Sequence, residues 1–246
     1  MAADRMTTRP ASQRDVSIEI GPITLHGILA LPGQQSGGIV LFAHGSGSSR
    51  LSPRNQYVAH VLQSQGIATL LFDLLTEKEE AIDEYTAELR FDIALLGKRL
   101  VGATRWAMKQ PELKTFRIGY FGASTGAAAA LVAAAELPEA VSAVVSRGGR
   151  PDLAEDALGS VRAPTLLIVG GEDGPVIGMN QHAMAKMRRA EKELLIVPGA
   201  THLFEEPGTL EEVAKAAAEW FGRHLANVEK AHKKSVGGAG GNRTHE

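Results

Sequence analysis

No cysteine occurs anywhere in the 246 residues. Disulfides, thiolate metal sites and a cysteine nucleophile are thereby excluded. No apolar run approaches the roughly 20 residues that cross a bilayer. The polar stretch Met1 to Arg14 holds no apolar core of a secretory signal. Charge of one sign is also missing: the formal net charge is −2, which speaks against nucleic acid and against an anionic membrane as partners. No H-x-x-x-H pair and no His/carboxylate cluster suggests a metal. Neither G-x-x-x-x-G-K-[ST] nor a complete G-x-G-x-x-G after a strand is present, so nucleotide binding is unsupported. These absences lead to the expectation of a cytoplasmic protein that uses no cofactor. What remains is an ordinary globular balance, with 44% hydrophobic and 22% charged residues, long enough for one α/β domain.

The ends read as loose: an N-terminal arm over 1–14 and a C-terminal tail over 229–246, where Lys233-Lys234 precedes Gly237-Gly238-Ala239-Gly240-Gly241. The sequon Asn242-Arg243-Thr244 carries little weight without a signal peptide. Between them, 15–228 forms the expected domain. Val16 to Ile20 alternates with period two, Gly21-Pro22 turns, and Ile23 to Leu31 continues, predicting a hairpin. Short apolar runs predict strands over 38–43, 67–72, 116–121, 140–145, 165–169 and 193–197. Helical spacing predicts helices over 54–65, 88–109, 125–136, 179–189 and 209–225, and Glu77 to Glu88 is acidic and helical. Eight strands with helices between most of the later ones predict a mostly parallel sheet covered on both faces. Sites in such sheets lie at the C-terminal ends of the strands.

The most informative stretch is Gly122-Ala123-Ser124-Thr125-Gly126, a G-x-S-x-G pattern between an expected strand and an alanine-rich helix. A serine on so sharp a turn presents its hydroxyl to open space, and its neighbours two positions away must be small. The following helix aims its N–H groups at that serine. After strand 38–43 comes His44-Gly45-Ser46-Gly47, whose Ser46 N–H, with that of Thr125, is placed to form an oxyanion hole. Two such donors supply about 3 kcal/mol each to a transition state.

Asp173 follows strand 165–169 and His202 follows strand 193–197, so the chain order is serine, acid, histidine. Serine needs a base, histidine can take and return the proton, and a carboxylate holds the imidazole tautomer. Glu172 should turn away from the site, and Asp152 is the backup acid. His44 is expected to support its loop by hydrogen bonding, and Asp73 to cap a turn in preference to lining the site. Arg50, Arg54 and Arg147 fall near the same sheet edge, with Arg150 beyond. Guanidinium groups there would favour a carboxylate or phosphate on the substrate. Salt bridges, such as Arg150 with Asp152, are the equal alternative. The segment between strands 140–145 and 165–169 is too short for a large cap domain.

On these motifs the chain resembles α/β-hydrolases of the dienelactone hydrolase-like group, over about residues 16–225. The resemblance implies an eight-stranded sheet, antiparallel at its second strand, and a triad of Ser124, Asp173 and His202. Dienelactone hydrolases proper carry a cysteine nucleophile. The serine-bearing relatives include some joined to a phosphoribosyltransferase domain, for which this chain has no length. The expected activity is a serine hydrolase of a carboxylic ester or lactone, through an acyl-enzyme on Ser124. Amide or thioester hydrolysis uses the same triad, and a catalytically silent binding protein is the rival from another class. The expected partner is a small ester or lactone, anionic if the arginines bind it, and a homo-oligomer stays open.

Overall fold

The computed structural model describes residues 12–226. Residues 1–11, the tail 229–246, its sequon, His232 and His245 lie outside the described residues. The hairpin forms as expected from its alternation. Strand β1 (Ser12–Ile20) pairs antiparallel with β2 (Ile23–Leu31), and Gly21 takes the turn at φ 58°. The strand begins earlier than the arm boundary at residue 14 implied. Ser12, Gln13 and Arg14 are exposed, yet they pair with Leu31, Ala30 and Leu29. Backbone pairing extends the strand there, and hydrophobic alternation carries no trace of it.

The remaining strands are short and apolar. They are β3 (Gly38–Ala43), β4 (Ala68–Phe72), β5 (Arg117–Ala123), β6 (Val141–Arg147), β7 (Thr165–Gly170) and β8 (Lys192–Val197). One sheet results, in the order β1-β2-β4-β3-β5-β6-β7-β8. Strand β2 runs antiparallel to both neighbours, and every later pairing is parallel. β3 and β4 are buried along their whole length, as central parallel strands must be when both faces are covered.

Helices α1 (Pro53–Ser64), α2 (Glu77–Thr86), α3 (Ile93–Lys109), α4 (Thr125–Glu136), α5 (Glu155–Leu158), α6 (Gly174–Lys186) and α7 (Thr209–Leu225) complete the fold. α1 and α7 cover one face, where Trp220 and Phe221 pack on Val40, Phe42 and Phe121. α3, α4 and α6 cover the other. Helix α4 owes its place to alanine. Ala127 to Ala130, Ala133 and Ala134 are all fully buried, and such small side chains let the helix lie close to the sheet.

Two helices differ from the sequence pattern. The expected helix 88–109 is broken: a single 3-10 turn (Leu89–Phe91) precedes α3, and Asp92 caps α3 through Leu95 N–H at 2.9 Å. The cause is Asp83, buried at the end of α2, which accepts the N–H groups of Leu89 and Arg90 at 2.6 and 3.1 Å. The expected helix 179–189 instead starts at Gly174. Pro175 in the first turn is already compatible with a helix start, because proline has no N–H to leave unpaired. Between β6 and β7 lie only a 3-10 turn (Pro151–Ala154) and α5, with no cap domain.

Candidate active site

The site is assembled at the C-terminal ends of β3, β5, β6, β7 and β8. Ser124 is the residue between β5 and α4, and its backbone stands at φ 51°, ψ −119°. Few non-glycine residues adopt that region, and strain of this kind costs on the order of 1–3 kcal/mol. The fold holds it from three sides. Ser124 N–H donates to the Arg147 carbonyl at 3.2 Å, and the Ser124 carbonyl accepts from Ala127 at 3.1 Å and from Arg150 at 3.1 Å. Both flanking glycines are required by contact. A Cβ on Gly122 would stand 2.4 Å from the Ala127 α-carbon, and one on Gly126 would stand 2.2 Å from the Ala43 carbonyl oxygen.

His202 faces this serine, with Nε2 3.4 Å from Ser124 Oγ. Its Nδ1 lies 2.6 Å from Asp173 Oδ2. Asp173 sits at the N-cap position of α6 but makes no capping bond there. Its carboxylate is committed to the imidazole, which fixes the proton on Nδ1 and leaves Nε2 to accept from the serine. A separation of 3.4 Å is at the long end for a hydrogen bond. Glu172 is exposed, and among the described residues only its backbone is engaged, its N–H donating to the Ala200 carbonyl. Asp152 is taken by Arg150, which donates twice to it at 2.9 and 2.7 Å.

The loop after β3 approaches from the other side. A β-turn closes from Ser48 N–H to the Gly45 carbonyl, with Gly47 at φ 65°. Gly45 lies so close that a Cβ on it would meet Ser124 Cβ at 3.1 Å. The Ser46 and Thr125 hydroxyls are 3.2 Å apart. Among the described residues neither the Ser46 nor the Thr125 N–H donates to a protein acceptor. His44 anchors the loop from beneath. Its Nε2 accepts the Leu74 N–H at 3.1 Å, so the proton lies on Nδ1, which donates to the Gly45 carbonyl at 3.0 Å. Burial pushes the imidazole pKa below its ordinary value and keeps the ring neutral.

The three arginines read as candidates for substrate contact separate here. Arg50 is held within the fold: its backbone N–H donates to Asp73 at 2.8 Å and its guanidinium pairs with the same carboxylate. Asp73, as expected, serves the turn. Arg54 donates to Glu205 at 3.0 Å. Arg147, the last residue of β6, has no carboxylate partner among the described residues.

Three supporting residues escaped the sequence reading. Glu206 accepts the Thr201 N–H at 3.1 Å and the Thr201 hydroxyl at 2.6 Å, closing the loop that carries His202. Phe204, fully buried, turns that loop at φ 56°. Gly148 abuts the imidazole: a Cβ there would stand 3.5 Å from its Cε1 and Nδ1. No local motif marks any of them. A cavity of about 460 Å³ opens beside the loop after β3, lined among others by His26, Asp73, Glu77, Glu80 and Glu84. Among the described residues no helix is long and apolar enough to cross a membrane.

Comparison with known proteins bears on this geometry. The model of the dienelactone hydrolase family matches residues 25–231. A putative phosphoribosyl transferase of Mycobacterium tuberculosis is 56% identical over 224 residues, which cover 91% of this chain and 49% of that protein. The chain thus spans about half the length of the curated relative it matches. Among solved structures, a dienelactone hydrolase from Anabaena variabilis is 60% identical, covers 88% of this chain and 99% of its own, and superposes with a TM-score of 0.85. Est1E from Butyrivibrio proteoclasticus, at 17% identity and a TM-score of 0.70 over 85% of this chain and 98% of its own, shares the fold.

Proposed function

Because the chain belongs to the dienelactone hydrolase family, we propose that it is a serine hydrolase cleaving a carboxylic ester or lactone through an acyl-enzyme on Ser124. The observation that carries the reading is the relay of Asp173, His202 and Ser124, at 2.6 and 3.4 Å, ending on a serine held at positive φ. A structural turn has no need of such strain, whereas an exposed nucleophile does.

Ser124 Oγ attacks the ester carbonyl while His202 Nε2 takes its proton. Asp173 stabilises the imidazolium through the Nδ1–H bond. The negative charge that builds on the carbonyl oxygen falls to the free N–H groups of Ser46 and Thr125, with the N-terminus of α4 behind them. His202 then returns its proton to the leaving alcohol, and the tetrahedral adduct collapses to the acyl-enzyme. Water, deprotonated by the same Nε2, attacks the acyl carbon. The acid leaves and Ser124 recovers its proton. Amides and thioesters share these steps, and the family membership favours the oxygen ester. The lack of a cap domain between β6 and β7 suits a substrate that reaches an open site.

Intact mass after exposure to a fluorophosphonate tests the reading, on the parent protein and on Ser124→Ala. A single adduct on the parent and none on the variant is expected. A folded parent that takes no adduct would leave Ser124 unactivated and favour a binding protein.

A further inference from the structure

Three loops bring Ser124, Asp173 and His202 together, and the turn after β6 touches a segment next to each of them. Gly148 stands at φ 52°, and a Cβ on it would lie 3.1 Å from the His202 carbonyl oxygen and 3.5 Å from ring atoms Cε1 and Nδ1. A Cβ on Gly149 would overlap Ser146 Oγ and lie 2.7 Å from Ala127 Cβ, in the first turn of α4. The Arg150 N–H donates to the Ser124 carbonyl at 3.1 Å. The third segment is α6, the helix that follows Asp173. From that helix Asn180 Nδ2 donates to the Gly149 carbonyl at 3.0 Å.

Asn180 is fully buried, an uncommon place for an amide. Its nitrogen lies between two carbonyls, that of Gly149 and that of Val176 at 2.8 Å, so the nitrogen and oxygen of the amide cannot be exchanged. The Val176 bond stays within the helix, as polar side chains there often do. The Gly149 bond crosses to another segment. Among the described residues Asn180 is the one donor to that buried carbonyl, which would be costly to leave unanswered. Asn180 Oδ1 is enclosed without a partner. A leucine here would orphan no oxygen, and what it would lack is the donor. Little else fastens α6: of its 13 residues only Val176, Asn180 and Ala183 are buried, and Asp173 makes no capping bond to it.

We infer that Asn180 is a positioning residue for Asp173, His202 and Ser124. It acts through the Gly149 carbonyl, which it ties to α6. Without that bond the turn is free to shift against the His202 ring and the Ser124 carbonyl, and α6 is free to shift with Asp173. A displacement of about 1 Å in such an arrangement costs up to about a hundredfold in rate. The 2.6 Å contact between Asp173 and His202 Nδ1 has the least tolerance, because it selects the imidazole tautomer. The effect on rate rests on the serine-hydrolase reading. The effect on the tautomer does not, since the two side chains meet whatever the reaction.

Two measurements on the full chain test the assignment, in the parent, Asn180→Leu, Asn180→Ala and Ala183→Gly. Leucine keeps the volume without the donor. Alanine only removes atoms and carries the comparison if leucine does not fit. Ala183→Gly weakens α6 on the same face and leaves the Gly149 bond alone. The first measurement reads the His202 tautomer from nitrogen–proton NMR correlations of the imidazole ring, at about pH 8.5, where an ordinary imidazole is neutral. Protonation on Nδ1 is expected to dominate in the parent and in Ala183→Gly, and the ring nitrogen shifts of both Asn180 variants to move toward a mixture of tautomers. The second follows para-nitrophenyl acetate hydrolysis, with the folded fraction set by urea titration. The Asn180 variants should lose about tenfold or more in kcat with KM within about twofold, while Ala183→Gly keeps the parent kcat despite a lower urea midpoint. Parent-like ring shifts in the Asn180 variants, or losses shared equally by Ala183→Gly, overturn the positioning role. A parent that does not hydrolyse the ester counts against the hydrolase reading, and the tautomer still decides the role of Asn180.

Discussion

The α-carbon of Gly126 lies against the carbonyl of Ala43, so that a Cβ on it would stand 2.2 Å from the oxygen and 2.4 Å from that of His44. Both opposing atoms are backbone, and neither can swing aside as a side chain would. This contact brings the loop after β3 within reach of the turn that carries Ser124. Gly126→Ala should therefore cost about 3 kcal/mol or more and drive the two segments apart. Urea unfolding would read the first effect and ester turnover by the folded fraction the second. A variant that keeps both would show that the contact can relax.

Ser124 presents the complementary case. At φ 51° and ψ −119° glycine is at ease and alanine is not. Ser124→Gly should be more stable than Ser124→Ala by about 1 kcal/mol, while both lose turnover by roughly 10⁴-fold or more. Equal unfolding midpoints for the two variants would mean that the turn stores no strain.

Asp173 and Asp152 both follow strands near the site, but only Asp173 reaches His202. Asp173→Asn should keep the fold and lower kcat by about 10⁴-fold, through loss of the correct imidazole tautomer. Asp152→Asn should weaken the Arg150 pair and leave turnover near the parent value. The reverse pattern in steady-state kinetics would exchange the two assignments.

His44 supplies a pH dependence with a definite sign. Burial holds its pKa below the ordinary 6.5, while the unfolded chain titrates near that value. Above it the ring is neutral in both states and costs nothing. As pH falls below it, the unfolded state takes up a proton that the folded state refuses, and stability drains at up to about 1.4 kcal/mol per pH unit until the folded pKa is reached. Denaturant midpoints between pH 7.5 and 5.5 should fall more steeply in the parent than in His44→Gln, which has no proton to take. Parallel slopes would remove His44 as the cause.

Glu206 acts on His202 through Thr201. The Thr201 hydroxyl and N–H hold its carboxyl below the usual carboxylate range, so the clamp is present near neutral pH and is lost as pH falls through that lowered value. Glu206→Ala should lower kcat about tenfold with KM little changed, because the loop carrying His202 loses its closure. Glu206→Gln keeps an acceptor for the N–H and offers the hydroxyl oxygen an amide donor in place of the carboxylate acceptor, and should restore most of the rate. A Gln variant as slow as the Ala variant would point to charge instead of closure.

Much of this molecule was determined by its sequence alone. Alternation and apolar run length predicted all eight strands, and the order of Ser124, Asp173 and His202 after three of them indicated one sheet edge. Those are local properties, because period and turn chemistry act over a few neighbouring residues. The breaks in the pattern came from tertiary contact. Asp83 draws the N–H groups of Leu89 and Arg90 and interrupts an otherwise helical stretch. Partner choice among the arginines was likewise decided by the fold. Arg50 finds Asp73 23 positions away, and Arg54 finds Glu205 151 positions away. Arg147 ends on β6 with no acid brought to it among the described residues. A long cationic side chain can reach any carboxylate within several ångströms, so its partner depends on which distant segments meet. Only the packed chain settles that.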